Sequence, residues 1–515
     1  MPRPLRALST PAALLGLLLA AAGPAAAQDL ASFEAKTRVH KLKNGWTFIL
    51  VERPTAPVFS FFTLVDVGSA QEVPGITGLA HMFEHMAFKG TERIGTTDAA
   101  AEKKEIAELE AAYQAYQAER LAPRPDPQRV EALLAAFKKE QEEAAVYVVK
   151  NEFGDIIERE GGVGLNAFTA ADQTGYHYSL PANKLELFAY LESERFLDPV
   201  FREFYTERDV VQEERRLAMD QPIQRLVEQF LATAYNAHTY GIPTIGHMSD
   251  LQSFTLTDAE RFYRTYYAPQ NMITAVVGHL DAGALIPLLE KYFGRIPPGP
   301  PAPVLRTVEP PQIAEKRVAL EDPSQPFYLE GYHKPASTHP DQAVYDAIDD
   351  VLSNGRTSRL YRALVRDKRL AVFAASFSGF PGEKYPNLWA VYAVPARGVT
   401  NAQVEAAVRE EIERLKTEDV TDDELAKFKT RAKADLLRGL ASNQGLAIQL
   451  AGYQRLYGDW RELFRSIERL DKVAKADIRR VANEVFKDVN RTVAVVETVA
   501  PPPQPAAAAP PEEGR

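Results

Sequence analysis

From residue 38 onward, polar and apolar positions alternate in short runs broken by turn residues. "RVHKLKNGWTFILVERPTAPVFSFFTLVDVGSAQE" predicts a strand, an Asn-Gly turn and a strand, followed by a second strand pair rich in Val and Phe. The period then lengthens. "TGLAHMFEHMAF" predicts a helix with Leu79, Met82, Phe83, Met86 and Phe88 around its faces. Between residues 101 and 155, Ile106, Leu109, Tyr113 and Tyr116 recur at helical spacing in a Glu/Lys/Gln-rich run. "LAPRPDPQ" breaks that run, and Val130, Leu133, Leu134 and Phe137 begin another. This pattern predicts a charged helical hairpin inserted into a domain, standing as a solvated arm.

The strand-like "GGVGLNAFTAADQTGYHYSLP" follows, then helical stretches over 183–233 and the buried strand "NMITAVVGHLD". A proline-rich connector runs from Ile296 to Gln312. Beyond it the order of elements repeats: strands around "KRVALEDPSQPFYLEGYHKP", the helical "DQAVYDAIDDVLSNGRTSRLYRALV", another strand pair, helical stretches 401–417 and 421–456, and a last strand "NRTVAVVET". The expected fold is α+β, with two homologous halves, each a mainly antiparallel sheet packed with helices, and a helical-hairpin insertion at about 101–155. The expected boundaries are 28–295 for the first half, 296–312 for the linker and 313–499 for the second half. A Pro/Ala tail over 500–515 is expected to be disordered.

Composition narrows the class. The chain has 515 residues, 45% hydrophobic and 25% charged, as a soluble globular protein of two large domains does. A net charge of -10 without a long basic run makes nucleic acid a poor partner. At the N-terminus, Arg3 and Arg6 precede an Ala/Leu-rich segment and Ala25-Ala26-Ala27, the layout of an export signal over 1–27 that leaves Gln28 first. The apolar run, bounded by Pro11 and Pro24 and interrupted by Gly16, is too short for a comfortable span, so a membrane anchor is the weaker reading. The absence of cysteine removes disulfides, thiol catalysis and cysteine-ligated metal.

Two of the nine histidines, His81 and His85, fall four apart in "HMFEH". On a helix they share a face and can direct both imidazoles at one point, with Glu84 beside them. Two neutral imidazoles suit zinc, whose catalytic sites add a third protein ligand and keep one position open. A nearby carboxylate then serves as general base. His40, His177, His238, His247, His279, His333 and His339 show no ligand spacing. His238 is expected to shape a loop near the site.

The segments around the pentapeptide carry a resemblance. "FKGTERIGTTD", "GGVGLNAFTAADQTGYHYSLP", "FYTERDVVQEERR", "AHTYGIPTIG" and "FYRTYYAPQNMITAVVGHLD" follow one another in the order found in the inverzincin metallopeptidases. Over residues 35–497 the chain resembles the insulinase and pitrilysin family, most closely its mitochondrial-processing-peptidase-like bacterial branch. The resemblance implies two halves around a chamber that admits unfolded peptides, and one zinc ion per chain bound by His81, His85 and a later glutamate. Glu214 stands at the matching place, seven after Glu207, so the two glutamates face the same way on a helix. Glu207 is then a carboxylate supporting the metal site, grouped with Glu84 as catalytic; Glu213, the rival ligand, points about a quarter-turn away. The 129 positions from His85 to Glu214 exceed the family's usual spacing, and the hairpin insert accounts for the excess. "LNAFTAADQTGY" resembles the family's substrate-binding edge strand, with Asn166, Ala167 and Phe168 as the binding residues.

One family feature fails to match. Active members commonly carry an arginine and a tyrosine seven positions apart in the second half. Here Val365 and Val372 occupy those positions; Arg366 serves only with a register slip, and Tyr361 is too early. The expectation is a secreted, periplasmic zinc endopeptidase acting on unstructured peptides. It would be the catalytic subunit of a heterodimer whose related partner supplies the Arg/Tyr pair, or of a homodimer. The alternatives are a non-catalytic scaffold, or a peptide-binding subunit of the same fold.

Overall fold

A computed structural model describes residues 30–197 and 199–500 of the chain. The expected signal segment 1–27 and, from residue 501, the expected tail lie outside the described residues. Eleven strands form two sheets: β1 (Thr37–Lys41), β2 (Thr47–Glu52), β3 (Val58–Val65), β4 (Val163–Thr169), β5 (Thr174–Pro181) and β6 (Met272–Gly278) in the first, β7 (Lys316–Asp322), β8 (Phe327–Lys334), β9 (Ala371–Phe380), β10 (Asn387–Pro395) and β11 (Arg491–Thr498) in the second. The spatial orders are β1-β2-β6-β3-β5-β4 and β7-β11-β8-β10-β9. Without β1 the two sheets share one plan. Each has a single parallel pair, β2 with β6 and β7 with β11, and is otherwise antiparallel. The repeated order of elements along the chain is therefore a repeated fold, and the α+β two-half architecture is present.

The central strands of each sheet are buried on both faces, and the two faces have different sources of cover. In β3, Phe59 and Phe61 join the core of the first half, whereas the alternating Phe62 and Leu64 meet Leu446, Ala447, Leu450 and Ala451. Those four residues lie on the helix Asn443–Tyr457 of the second half. The loan is returned. Helix Pro222–Ala234 of the first half lays Leu226, Phe230, Leu231 and Ala234 on Phe327, Leu329, Leu388 and Val496 of the second sheet. Burying a side chain such as Phe230 contributes about 2–3 kcal/mol, so each half draws stability from a helix of the other. This two-sided cover explains why β3 and β8 are buried at nearly every position.

Polar contacts lock the junction. His238 Nδ1 accepts from the Tyr240 N–H (3.1 Å), and Tyr240 Oη donates to Asp172 (2.7 Å). The other Asp172 oxygen accepts the backbone N–H groups of Glu383 and Lys384 at 2.6 and 2.9 Å. His238 thus shapes a loop where the halves meet. Residues 297–313 carry neither helix nor strand, and Glu309 ties that stretch down by accepting from the backbone of Asn236, Ala237 and His238.

Several local expectations need correction. A single strand, β3, stands where a second strand pair was expected, because its partners β5 and β6 are distant in sequence. The stretch 163–181 is a two-strand hairpin. The helix bearing His81 ends at Met86, before Phe88. The expected helix over 421–456 is two, Asp422–Gly439 and Asn443–Tyr457, with Ser442 capping the second by accepting from the Gly445 N–H. The helical reading through Val365 also divides. Helix Gln342–Ser353 ends before Asn354, and Tyr361–Asp367 winds as a π-helix.

The inserted helices, Ala99–Arg120 and Pro127–Ala145, are not a free arm. The Tyr113 and Phe137 rings lie 4.3 and 5.2 Å from the Tyr205 ring, tilted and edge-on, and the Arg208 guanidinium lies 4.5 Å over Tyr113. Gln141 adds a 2.9 Å hydrogen bond to Thr206. Tyr205, Thr206 and Arg208 all belong to the helix Phe204–Asp220. The charged face the sequence advertises is the outer one; the inner one packs.

Candidate metal centre

The helix Leu79–Met86 is set rigidly before its histidines come into play. Leu79, Met82, Phe83 and Met86 are buried in the first-half core, which turns His81, Glu84 and His85 to the opposite side. Its N-terminal N–H groups are held by the buried Glu72, which accepts from Gly78 and Ala80, both at 2.7 Å. Asp250 does the same for the preceding turn, accepting from Thr77 N and Oγ1 at 3.2 and 2.7 Å.

Glu214 arrives from the helix Phe204–Asp220. Its Oε2 lies 3.7 Å from His81 Nε2 and 3.5 Å from His85 Nε2, and the donor atoms of all three residues fall within 4.8 Å of one another. A tetrahedral ion with bonds near 2.1 Å separates its ligands by about 3.4 Å, so the spacing and the N, N, O donor set fit zinc. Glu213 does not join them; it pairs outward with Arg216. Among the described residues one other trio has the reach, Glu105, Glu108 and Glu140, and it is spent on Lys104 and Lys139.

The electrostatics suit a metal site. Burial and the neighbouring His85 lower the His81 pKa to about 4, which leaves the neutral imidazole a ligand requires. His85 is raised, chiefly through its hydrogen bond to Glu207, whose Oε2 lies 3.4 Å from Nδ1. Burial would raise Glu207, but His85 and Lys89 outweigh it and hold the carboxyl below its usual range. Glu84 is raised by burial, opposed by hydrogen bonds from the side chain and backbone of Thr169. A partly desolvated carboxylate beside two histidines has the character of a general base.

The expected substrate strand is β4, at the end of the first sheet with β5 alongside. Asn166 is exposed, Ala167 buried and Phe168 half-buried, and a bulge lies between Val163 and Asn166. Thr169 ends this strand and is the residue that bonds Glu84. Edge and carboxylate are thus physically joined. Lys89, Thr169 and Glu72 were missed from the sequence. The spacing of Lys89, four after His85, was the available signal, but the helix ends before it.

The second half carries a changed copy of the same helix. Counting back from the left-handed Gly90 and Gly355, Asp346, Asp349 and Asp350 take the places of His81, Glu84 and His85. Their oxygens accept from Gln342 (2.8 Å), from Ser376 and Trp389 (2.8 and 2.7 Å) and from Asn354 (2.6 Å), and all three line a cavity of about 840 Å³. Burial raises Asp346 to about 6 and Asp349 to about 7. These carboxylates are taken up by hydrogen bonds to their own surroundings. Arg366 is closed onto Asp367 at 2.6 and 3.0 Å, with Val365 and Val372 at the positions noted above.

Comparison with known proteins gives concordant findings. Residues 47–121 and 146–247 match "Insulinase (Peptidase family M16)", and residues 253–432 match "Peptidase M16 inactive domain". The unmatched gap falls within the inserted helices. The chain is 31% identical to zinc protease PqqE of Helicobacter pylori, covering 94% of this chain and 98% of that protein. A crystal structure of a protease from Helicobacter pylori superposes with a TM-score of 0.74 at 28% identity, over 90% of this chain and 99% of that one. The periplasmic protease PqqL from Escherichia coli matches in fold, with a TM-score of 0.66 at 18% identity, over 91% of this chain but 48% of its own. Among the described residues no helix is long and apolar enough to cross a membrane.

Proposed function

Because this chain belongs to the insulinase family, Peptidase family M16, we propose that it is a zinc-dependent endopeptidase hydrolysing unstructured peptides, with His81, His85 and Glu214 holding one zinc ion. The observation that carries this reading is the convergence of His81 Nε2, His85 Nε2 and Glu214 Oε2, with Glu84 alongside. Zinc bound there would polarise the scissile carbonyl and lower the pKa of a water to about 7. Glu84 takes the proton from the attacking water and later delivers it to the leaving amine. Glu207 orients His85. The β4 edge binds an extended peptide through main-chain hydrogen bonds, with the Asn166 side chain on a substrate carbonyl and the backbone of Ala167 and Phe168 fixing the register.

The scaffold and peptide-binding alternatives lose ground because all four residues are present in the first half, while the inactive-domain match lies mostly in the second. A partner completes the enzyme. PqqL is about twice as long as its match to this chain, enough for two such units, and this chain has no Arg/Tyr pair at the expected positions. A related subunit supplying that pair is the primary reading and a homodimer the second. Export to the periplasm rests on the pattern of residues 1–27; periplasmic protein beginning at Gln28 would bear it out, and protein retaining residues 1–27 would contradict it.

The test is zinc content and hydrolysis of a quenched, unstructured peptide, measured on the chain alone and mixed with its related subunit. One zinc per chain, with turnover that rises on mixing, supports the whole reading. Full turnover by the monomeric chain alone removes the partner, and a chain that binds no zinc removes the peptidase.

A further inference from the structure

We propose that Lys89 is a positioning residue that sets the register of the metal-binding helices against each other. The inference rests on the zinc reading above and goes beyond its ligand set. Lys89 lies just past the end of the His81 helix, and its Nζ reaches two carboxylates, Glu203 at 3.1 Å and Glu207. Both sit at the start of the helix that carries Glu214. Glu207 in turn faces His85 Nδ1 at 3.4 Å. One ammonium therefore ties the end of the first metal helix to the first turn of the second. Glu207 and Glu214 lie seven residues apart on one helix, about 10.5 Å along its axis. Fixing Glu207 against His85 thus also fixes where Glu214 meets the two Nε2 atoms.

The loop bearing Lys89 is built to hold still. The buried Arg202 collects its carbonyls, donating to Lys89 O at 2.6 Å, Ile94 O at 3.0 Å and Thr91 O at 3.2 Å. Gly90 takes the left-handed conformation this turn needs, and a Cβ there would stand 2.2 Å from Ile94 O. The Lys89 and Glu207 side chains are 18% and 14% exposed, which shields their pairing from solvent screening. A surface lysine adding only charge would need none of this.

The test is the apparent zinc Kd of the full chain, by competition with a chromophoric chelator, for wild type, Lys89→Met and Lys89→Arg, with the thermal midpoint of each metal-free protein. Lys89→Met should weaken zinc about tenfold, the low end for groups that orient a ligand. Lys89→Arg should restore most of it, and the loss of zinc affinity in Lys89→Met should exceed any fall in its metal-free midpoint. Three outcomes overturn the inference: Lys89→Met binding zinc as wild type does, Lys89→Arg as weak as Lys89→Met, or a loss of affinity matched by a fall in the midpoint. The same titration shows first whether the wild type binds zinc, so failure of the metal reading is distinguished from failure of the role given to Lys89.

Discussion

The Glu207 carboxylate lies 3.4 Å from His85 Nδ1 while His85 Nε2 faces Glu214 at 3.5 Å, so each ring nitrogen has its own acidic partner. In the proposed site Glu207 would hold Nδ1 and leave Nε2 for the metal. It also raises the His85 pKa above the ordinary 6.5. In the metal-free chain this His85–Glu207 pairing stabilises below pH 6.5 while Glu207 stays ionised. It is lost as pH rises through the raised His85 value, and again in acid as pH falls through the lowered Glu207 value. Zinc bound at Nε2 would compete with the His85 proton, so zinc affinity should fall as pH drops through the raised His85 value. Glu207→Gln should weaken zinc about tenfold at neutral pH and move the loss of binding to lower pH. Zinc titrations across pH check both; an unmoved pH profile would remove Glu207 from the site.

The insert is braced to the site through a buried ion pair. Arg202 donates to both Glu102 oxygens at 2.5 and 2.7 Å, and Glu102 lies on the first inserted helix. Removing one partner of such a pair costs about 3–5 kcal/mol. Glu102→Ala should therefore lower unfolding stability by about that amount in denaturant melts. A solvated arm would lose almost nothing.

The exchange of helices between the halves makes a separate prediction. Phe230 belongs to the first half by sequence but is buried against the second sheet. Phe230→Ala should cost about 3–5 kcal/mol. Amide hydrogen exchange should quicken in β11 and β8, far along the chain, as well as around residue 230. Exchange confined to the first half would contradict the mutual cover.

The sequence made some of this legible and hid the rest. His81, Glu84 and His85 could be read because helical spacing puts i, i+3 and i+4 on one side, and the Glu207–Glu214 pair because two turns restore a direction. Alternation in β3 revealed a strand but could not show that Phe62 and Leu64 await a helix nearly 400 residues away. Lys89 escaped because its partners meet it only after the loop closes on Arg202. The inserted helices read as solvated because charges dominate their composition, whereas their packing rests on few residues, Tyr113 and Phe137 above all. In the second half, Asp346, Asp349 and Asp350 keep the spacing of the histidine helix with changed residues. Only the repeated topology makes that kinship visible.

In the proposed site Glu84 moves the proton while His81, His85 and Glu214 hold the metal. The measurement that bears on it most directly is zinc content and peptide hydrolysis of Glu84→Gln on one sample, assayed with the partner subunit if the wild type needs it. The expected result is zinc bound as in wild type and turnover reduced by about 10²–10⁴-fold, the range for loss of a general base. Turnover near the wild-type rate, with zinc in place, would contradict it.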